Sequence, residues 1–327
     1  MRRYILIPLS ILMLVLLFSY SAFTSKSAEL NVLTKQAEQG DVEAQFRLAN
    51  IYHKGVKVSK NYKETFKWLL KASDKGHPGA QLNLSSLYFS GDGVTKDIGE
   101  AIKWLTKSGE QGIREAQVYL NELYHRGVEV PRNYIKAAYW AEKAARQDHL
   151  ESQYILAVYY DAGDGVKQSD YYSTYWFKKA GEKGHIGAQT RLGLAFQHGI
   201  GVDIDKGLSI KWYTKAAEKN DTYAQALIAV AYADDTSSIK NKTKSDYWFS
   251  KIAKSKNVDT MFMLSKQYFS LNNTAGFEES YVWANLMKQS GAKAETLIMR
   301  LTKRLPPEAI ERAIIRSKKL FKNSYAL

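Results

Sequence analysis

The sequence predicts an all-α solenoid of about seven helix-turn-helix repeats of 36 residues, closed by a C-terminal helical cap, and three periodic features predict it. First, the tryptophans fall on one ruler: Trp68, Trp104, Trp140, Trp176, Trp212 and Trp248 are 36 residues apart, and Trp283 follows after 35. An active site needs no such regularity, whereas a stack of equivalent units needs one large residue at the same place in each. Second, an aromatic residue stands fifteen or sixteen positions before every tryptophan: Tyr52, Tyr88, Tyr124, Tyr160, Phe196, Tyr232 and Tyr268. Third, an aliphatic residue precedes each aromatic by four positions (Leu48, Leu84, Leu120, Leu156, Leu192, Ile228, Leu264), and a small one precedes it by four more (Ala44, Ala80, Ala116, Ser152, Ala188, Ala224, Thr260). The i, i+4, i+8 spacing puts all three on one face of a helix, which marks a packing face.

In chain order, residues 1–28 differ in kind from the rest. Arg2 and Arg3 precede an apolar run over 4–18 and a small polar stretch over 19–22, the pattern of a signal peptide or signal anchor. Ser19 and Ser21 suit a cleavage site, while the 20 residues from Tyr4 to Phe23 would span a bilayer if left uncut. Either way the leading arginines keep the N-terminus cytoplasmic and the repeats outside. The chain is expected to be exported: periplasmic, anchored in the inner membrane, or secreted. With no cysteine, disulfides and the lipoprotein route are excluded.

Residues 29–42 read as an N-terminal cap helix, equivalent to the second helix of a repeat with Val32 in the tryptophan place. The repeats occupy 43–290. In five of them the first helix breaks at a glycine followed three positions later by valine: Gly55 and Val58, Gly91 and Val94, Gly127 and Val130, Gly163 and Val166, Gly199 and Val202. Such a glycine suits a left-handed helix cap, with the valine folding back as an apolar contact. A second helix follows, as over 62–76, where Phe66, Trp68 and Ala72 mark the buried side. The glycine-valine turn is missing around 233–237 and 270–273. Two antiparallel helices cannot bury both faces alone, so neighbouring pairs must stack. Residues 291–327 form a basic helical cap, where Pro306 and Pro307 before Glu308 fit a helix start.

The segments 44–76 and 80–112 resemble Sel1-like repeats, relatives of the tetratricopeptide repeat. The tetratricopeptide pattern differs, with a shorter period and its tryptophan on the first helix. The resemblance covers about 43–290. It implies a right-handed superhelix whose first helices line the concave surface. It also implies a non-catalytic scaffold or adaptor of the bacterial cell envelope that binds a peptide or protein. Some cysteine-rich members are described as β-lactamase-like or penicillin-binding, but this chain lacks the cysteines.

The net charge of +14 is unevenly placed. Residues from Lys288 onward carry ten Lys or Arg against three acids, and the leader carries three bases and no acid, leaving the repeats nearly neutral. The basic cap could meet anionic lipid or glycan. Nucleic acid is not expected, because the aromatics sit at packing positions rather than on a stacking platform.

The histidines keep the beat as well, His77, His149 and His185 in one register and His53 and His125 in another, so they decorate the repeat rather than form a metal site. No HExxH, GxSxG or phosphate loop occurs, and a catalytic cysteine is impossible, so no enzyme activity, metal or cofactor is expected. Lysine three residues after six of the tryptophans (Lys71, Lys107, Lys143, Lys179, Lys215, Lys251) reads as a stem lying across the Trp edge.

Binding is expected where repeats differ on a constant frame. Two first-helix registers vary and lie three residues apart, hence on one stripe. Their members include Asn50, His53, Ser86, Phe89, Glu122, His125, Asp161 and Gln197, the candidate partner-binding residues. The stripe turns apolar toward the C-terminus, and its apolar members equally suit packing against the next unit. Polysaccharide or peptidoglycan binding is the alternative, for which Phe89 is the one aromatic on the stripe's N-terminal part.

Overall fold

The computed structural model describes residues 29–56, 58–234 and 239–322, all helices and connections with no strand among them. The expected leader lies outside the described residues. The chain divides into two compact units that meet in sequence at His149 and Leu150.

The first unit opens with helix α1 (29–38) and continues with three helix pairs: α2 (Val42–Lys54) and α3 (Tyr62–Asp74), α4 (Pro78–Ser90) and α5 (Ile98–Glu110), α6 (Arg114–Arg126) and α7 (Tyr134–Arg146). The second unit holds four pairs: α8 (Leu150–Ala162) and α9 (Asp170–Glu182), α10 (Ile186–His198) and α11 (Lys206–Glu218), α12 (Thr222–Ala233) and α13 (Lys242–Ser255), α14 (Val258–Ser270) and α15 (Thr274–Gln289). It closes with α16 (Glu295–Thr302) and α17 (Pro307–Lys322).

The registers read from the sequence become the core. Every repeat tryptophan is buried, from Trp283 at 0% exposed to Trp176 at 9%. The aliphatic register is buried throughout, as Leu48, Leu84 and Leu120 in the first unit and Leu156, Leu192, Ile228 and Leu264 in the second. Of the aromatic register Tyr124 is buried, while the other six are half-buried at the helix ends. Lysine covers the tryptophan edge as expected: Lys71, Lys107 and Lys215 lie 4.6, 4.1 and 4.2 Å from the ring centres of Trp68, Trp104 and Trp212. Lys143 and Lys179 lie instead over Tyr139 and Tyr175, the residues just before their tryptophans.

The first helices α2, α4 and α10 start on a side-chain cap and stop at the expected glycine, whereas α6 stops at Gly127 but starts at Ile113 without a side-chain cap. Asp41 accepts from the Ala44 N–H, and Gly55 and Gly91 adopt φ of 68° and 81° while donating to the carbonyls of Ile51 and Leu87. The second glycine of the GDGV turn has its own cause: Gly93 has φ of 72°, and a Cβ there would sit 2.3 Å from the Tyr62 carbonyl oxygen of the preceding pair. Where the turn glycine is absent, α12 and α14 end on Asp234 and Leu271 without a left-handed residue at the cap.

A buried glutamine follows the small residue in six repeats, and its role was not apparent in the sequence. The Nε2 groups of Gln45, Gln81 and Gln117 donate to the carbonyls of Ala37, Ser73 and Gly109, and those of Gln189 and Gln225 to Gly181 and Ala217. Each bond adds a second donor to a carbonyl near the end of the preceding helix, which also accepts the backbone N–H three residues on. It therefore fixes one pair to the next by a directional contact inside the apolar core.

The cap α17 is latched by charge. Arg312 donates to both carboxylate oxygens of Glu278 on α15, at 3.0 and 2.6 Å. Arg316 pairs with Glu279 on α15 and approaches Asp246 on α13. Part of the basic excess of the cap is thus neutralised within the fold. Burial pushes Tyr268 of α14 up to about 12 from 10.0, against the opposing effect of Arg316. The neutral phenol is favoured in the folded state. Its contribution to stability is complete below pH 10, the ordinary value, and is lost as pH rises toward about 12. The Tyr268→Phe chain should accordingly keep its helicity to higher pH in an alkaline titration followed by circular dichroism. Unfolding at an unchanged pH would contradict this.

Candidate functional site

In the first unit the predicted stripe residues lie on α2, α4 and α6. His53, Ser86, Glu122 and His125 are exposed, and Asn50 and Phe89 are half-buried. The small and aliphatic registers of the same helices are buried, and the stripe shares the solvent side with residues such as Glu43, Arg47 and Lys54 of α2. Asn50 accepts from Asn83 Nδ2 at 3.3 Å, and Phe89 packs on Tyr119 with ring centres 5.2 Å apart. Both contacts reach the next pair. His53 and His125 each stand edge-on to the tyrosine that opens their own second helix, Tyr62 at 5.7 Å and Tyr134 at 5.6 Å. Ser86 donates to the Leu82 carbonyl, and Glu122 accepts from Arg126 at 2.9 Å.

In the second unit Asp161 is half-buried and its carboxylate lies 3.9 Å from Arg191 of the following pair. Gln197 is exposed, and its Oε1 accepts from the Tyr213 hydroxyl at 2.7 Å. The Tyr213 phenol, pushed up strongly by burial, thereby has one polar partner at the helix surface. The stripe is therefore mixed. Asn50, Phe89 and Asp161 also join successive pairs, whereas His53, Ser86, Glu122 and His125 present groups outward. Continued to the seventh pair, the two registers land on Lys266 and Phe269 of α14. Phe269 packs against Phe277 at 5.3 Å and lies under Arg304 at 5.2 Å.

The loop histidines have a structural role that their chemistry explains. His77 Nδ1 accepts from the Ala80 N–H at 3.0 Å, its ring stacks on Phe46 at 4.3 Å, and Nε2 meets Glu43 at 3.2 Å. His185 repeats this with Ala188, Tyr154 and Glu151. A ring that accepts at Nδ1 carries its proton on Nε2, so the carboxylate is the acceptor there. Each histidine is a helix cap tied to the first helix of the preceding pair. His77→Ala should lower stability by about 1 kcal/mol, the usual worth of a lost N-cap, while His77→Asn should recover most of it. A denaturant series on the three chains checks this, and equal loss in both variants would contradict it.

Among the described residues no group of three or more His, Cys, Asp or Glu is arranged to hold a metal ion, and no helix is long and apolar enough to cross a membrane.

Comparison with known proteins places this architecture. The family model "Sel1 repeat" matches residues 42–77, 78–113, 114–149, 150–185, 186–221 and 222–257. Each match spans one helix pair; α14 and α15 form a further pair beyond the last of them. Among solved structures, a Sel1 repeat protein from Oxalobacter formigenes is similar at 28% identity and TM-score 0.59, over 85% of this chain and 81% of that one. A protective antigen present in uropathogenic Escherichia coli strains, displaying an SLR fold, is similar at 25% identity and TM-score 0.58, over 88% of this chain and 71% of that one. No curated protein matches the chain. Six consecutive matched segments, covering well over half of the sequence, show that the chain belongs to the Sel1 repeat family.

Proposed function

We propose that the chain is a non-catalytic interaction scaffold or adaptor, and that a peptide or protein partner binds along the first-helix face of its repeats, the side that the family resemblance makes concave. One observation carries this reading: on the same helices the constant small and aliphatic registers are buried while His53, Ser86, Glu122 and His125 of the varying registers are exposed. Surface positions whose residue changes along the stack, as from His53 to Phe89 and from Ser86 to Glu122, can encode a partner, because they offer different hydrogen bonds or charges on a fixed spacing. The leader sequence supports a place in the cell envelope, with the repeats outside the cytoplasm. Contact of the basic cap with anionic lipid or glycan would be a secondary attachment.

The test uses the full chain as bait in envelope extract, compared by quantitative mass spectrometry with two variants. A discrete protein retained by the parent chain and by Lys71→Glu, but lost by His53→Glu combined with Glu122→Lys, is the expected result. Equal retention by all three baits would overturn the site.

A further inference from the structure

The C-terminal end of the stripe differs from the rest in shape as well as composition. Between α14 and α16 lies a groove of about 670 Å³. Its walls are Phe262, Lys266 and Phe269 from α14, with Leu297 and Arg300 from α16 and Lys293 just before it. Positions 262, 266 and 269 follow one helix face, and Lys266 and Phe269 are the seventh-pair members of the two varying registers. Earlier in the chain Asn50, Phe89 and Asp161 are engaged with the neighbouring pair. Here residues of α16 and of the turn before it line an open recess instead.

The recess has an apolar floor and a cationic rim. Met287 and Ala294 at its base are 4% and 3% exposed, and Phe262 on its wall is 46% exposed, a large area of ring for a surface residue. Lys266, Lys293 and Arg300 surround it and are exposed. None of the three makes an ion pair among the described residues, although Lys266 Nζ rests 5.5 Å from the Phe262 ring centre. Glu295 is the one carboxylate in the lining. The contrast with α17 matters, because there Arg312 and Arg316 are matched by Glu278, Glu279 and Asp246. Three cations without an ion pair among the described residues thus gather around one apolar recess.

From this charge complementarity and the depth of the apolar floor we infer that the groove between α14 and α16 docks an acidic segment of a partner protein. The segment inserts one or two bulky apolar side chains between Phe262, Phe269 and Leu297 and sets carboxylates against Lys266, Lys293 and Arg300. A planar bilayer presents anionic headgroups to protruding cations but does not reach a floor recessed between two helices. A peptide side chain does, and burying one there excludes water from the flanking charge pairs and strengthens them. This site rests on the interaction-scaffold reading and gives it a partner chemistry.

A phage-displayed library of random 12-residue peptides, panned on the full chain, tests it. Enriched peptides should combine Trp, Phe, Leu or Met with several Asp or Glu. As synthetic fluorescent peptides they should weaken at least tenfold on Lys266→Glu combined with Arg300→Glu, and again on Leu297→Asp. All of these positions are at the surface or half-buried, and unchanged circular dichroism of the variants confirms that the fold persists. Binding should also weaken with added salt. Peptides that bind but ignore the groove variants while failing on His53→Glu with Glu122→Lys would overturn the groove and leave the scaffold reading standing. No enrichment of any peptide would overturn both. Phosphatidylglycerol vesicles that bind the parent chain and lose it on the same groove variants, with no acidic peptide selected, would assign the groove to lipid and overturn the peptide.

Discussion

Trp283→Ala should destabilise the chain by about 3–5 kcal/mol, the cost of truncating a fully buried aromatic whose surroundings relax only in part. Trp283 is 0% exposed and its ring lies 5.2 Å from that of Phe249. It belongs to a buried cluster that runs from Tyr213 through α15 to Ala309, Ala313 and Leu320 in the cap. In a stack where each pair is held by its neighbours, such a loss is local before it is global. Hydrogen exchange should therefore show α14 to α17 losing protection in the variant while α2 to α7 keep theirs. A denaturant midpoint within the error of the parent chain, or uniform loss of protection along the whole chain, would contradict this account of the ruler.

The second large effect concerns a size match between helices of one pair. A Cβ on Gly193 of α10 would lie 2.3 Å from ring carbons of Tyr213 on α11, which is itself 0% exposed. Overpacking a closed core costs about 1–3 kcal/mol, so Gly193→Ala should destabilise despite its better helix propensity. The equivalent positions of the first two repeats hold Ala49 with Leu69 and Ser85 with Leu105, a larger residue on the first helix with a smaller one on the second, while two others hold Ala157 with Phe177 and Ala229 with Phe249. Gly193→Ala combined with Tyr213→Leu recreates the first of these pairs. The double variant should be more stable than the sum of the two single changes by roughly 1–3 kcal/mol of coupling. Additive single effects in a double-mutant cycle would show that the two positions are not matched.

The parts of the fold legible in the sequence are those fixed by repetition. One tryptophan at one register could be core or surface, but six at a constant interval with a seventh one residue short of it can only be the packing position of a stack. The small, aliphatic and aromatic residues before them extend that inference to a second helix. The buried glutamines escaped it, although Gln45, Gln81, Gln117, Gln153, Gln189 and Gln225 keep the same period. A polar residue at a repeated position reads as surface until its partner is known, and the partner here is a backbone carbonyl that no side-chain pattern reveals. His77 and His185 escaped for a similar reason, since their acceptor role depends on ring orientation. The stripe was legible as a set of varying positions on one helix face. Its division into outward groups and groups spent on the next pair was not, because Asn50, Phe89 and Asp161 find their neighbours some thirty residues away. The groove between α14 and α16 needed the placement of α16, whose sequence lies outside the repeat.

The most direct test of the central claim is a photo-crosslinking scan around one complete repeat in living cells. A photoreactive amino acid replaces each exposed residue of α6 and α7 in turn, and captured proteins are identified by mass spectrometry. The account predicts one discrete protein captured from Glu122 and His125, with none from the exposed Tyr139 on the second helix. Capture centred on α7, or spread evenly over both helices, would contradict a partner-binding face on the first helices.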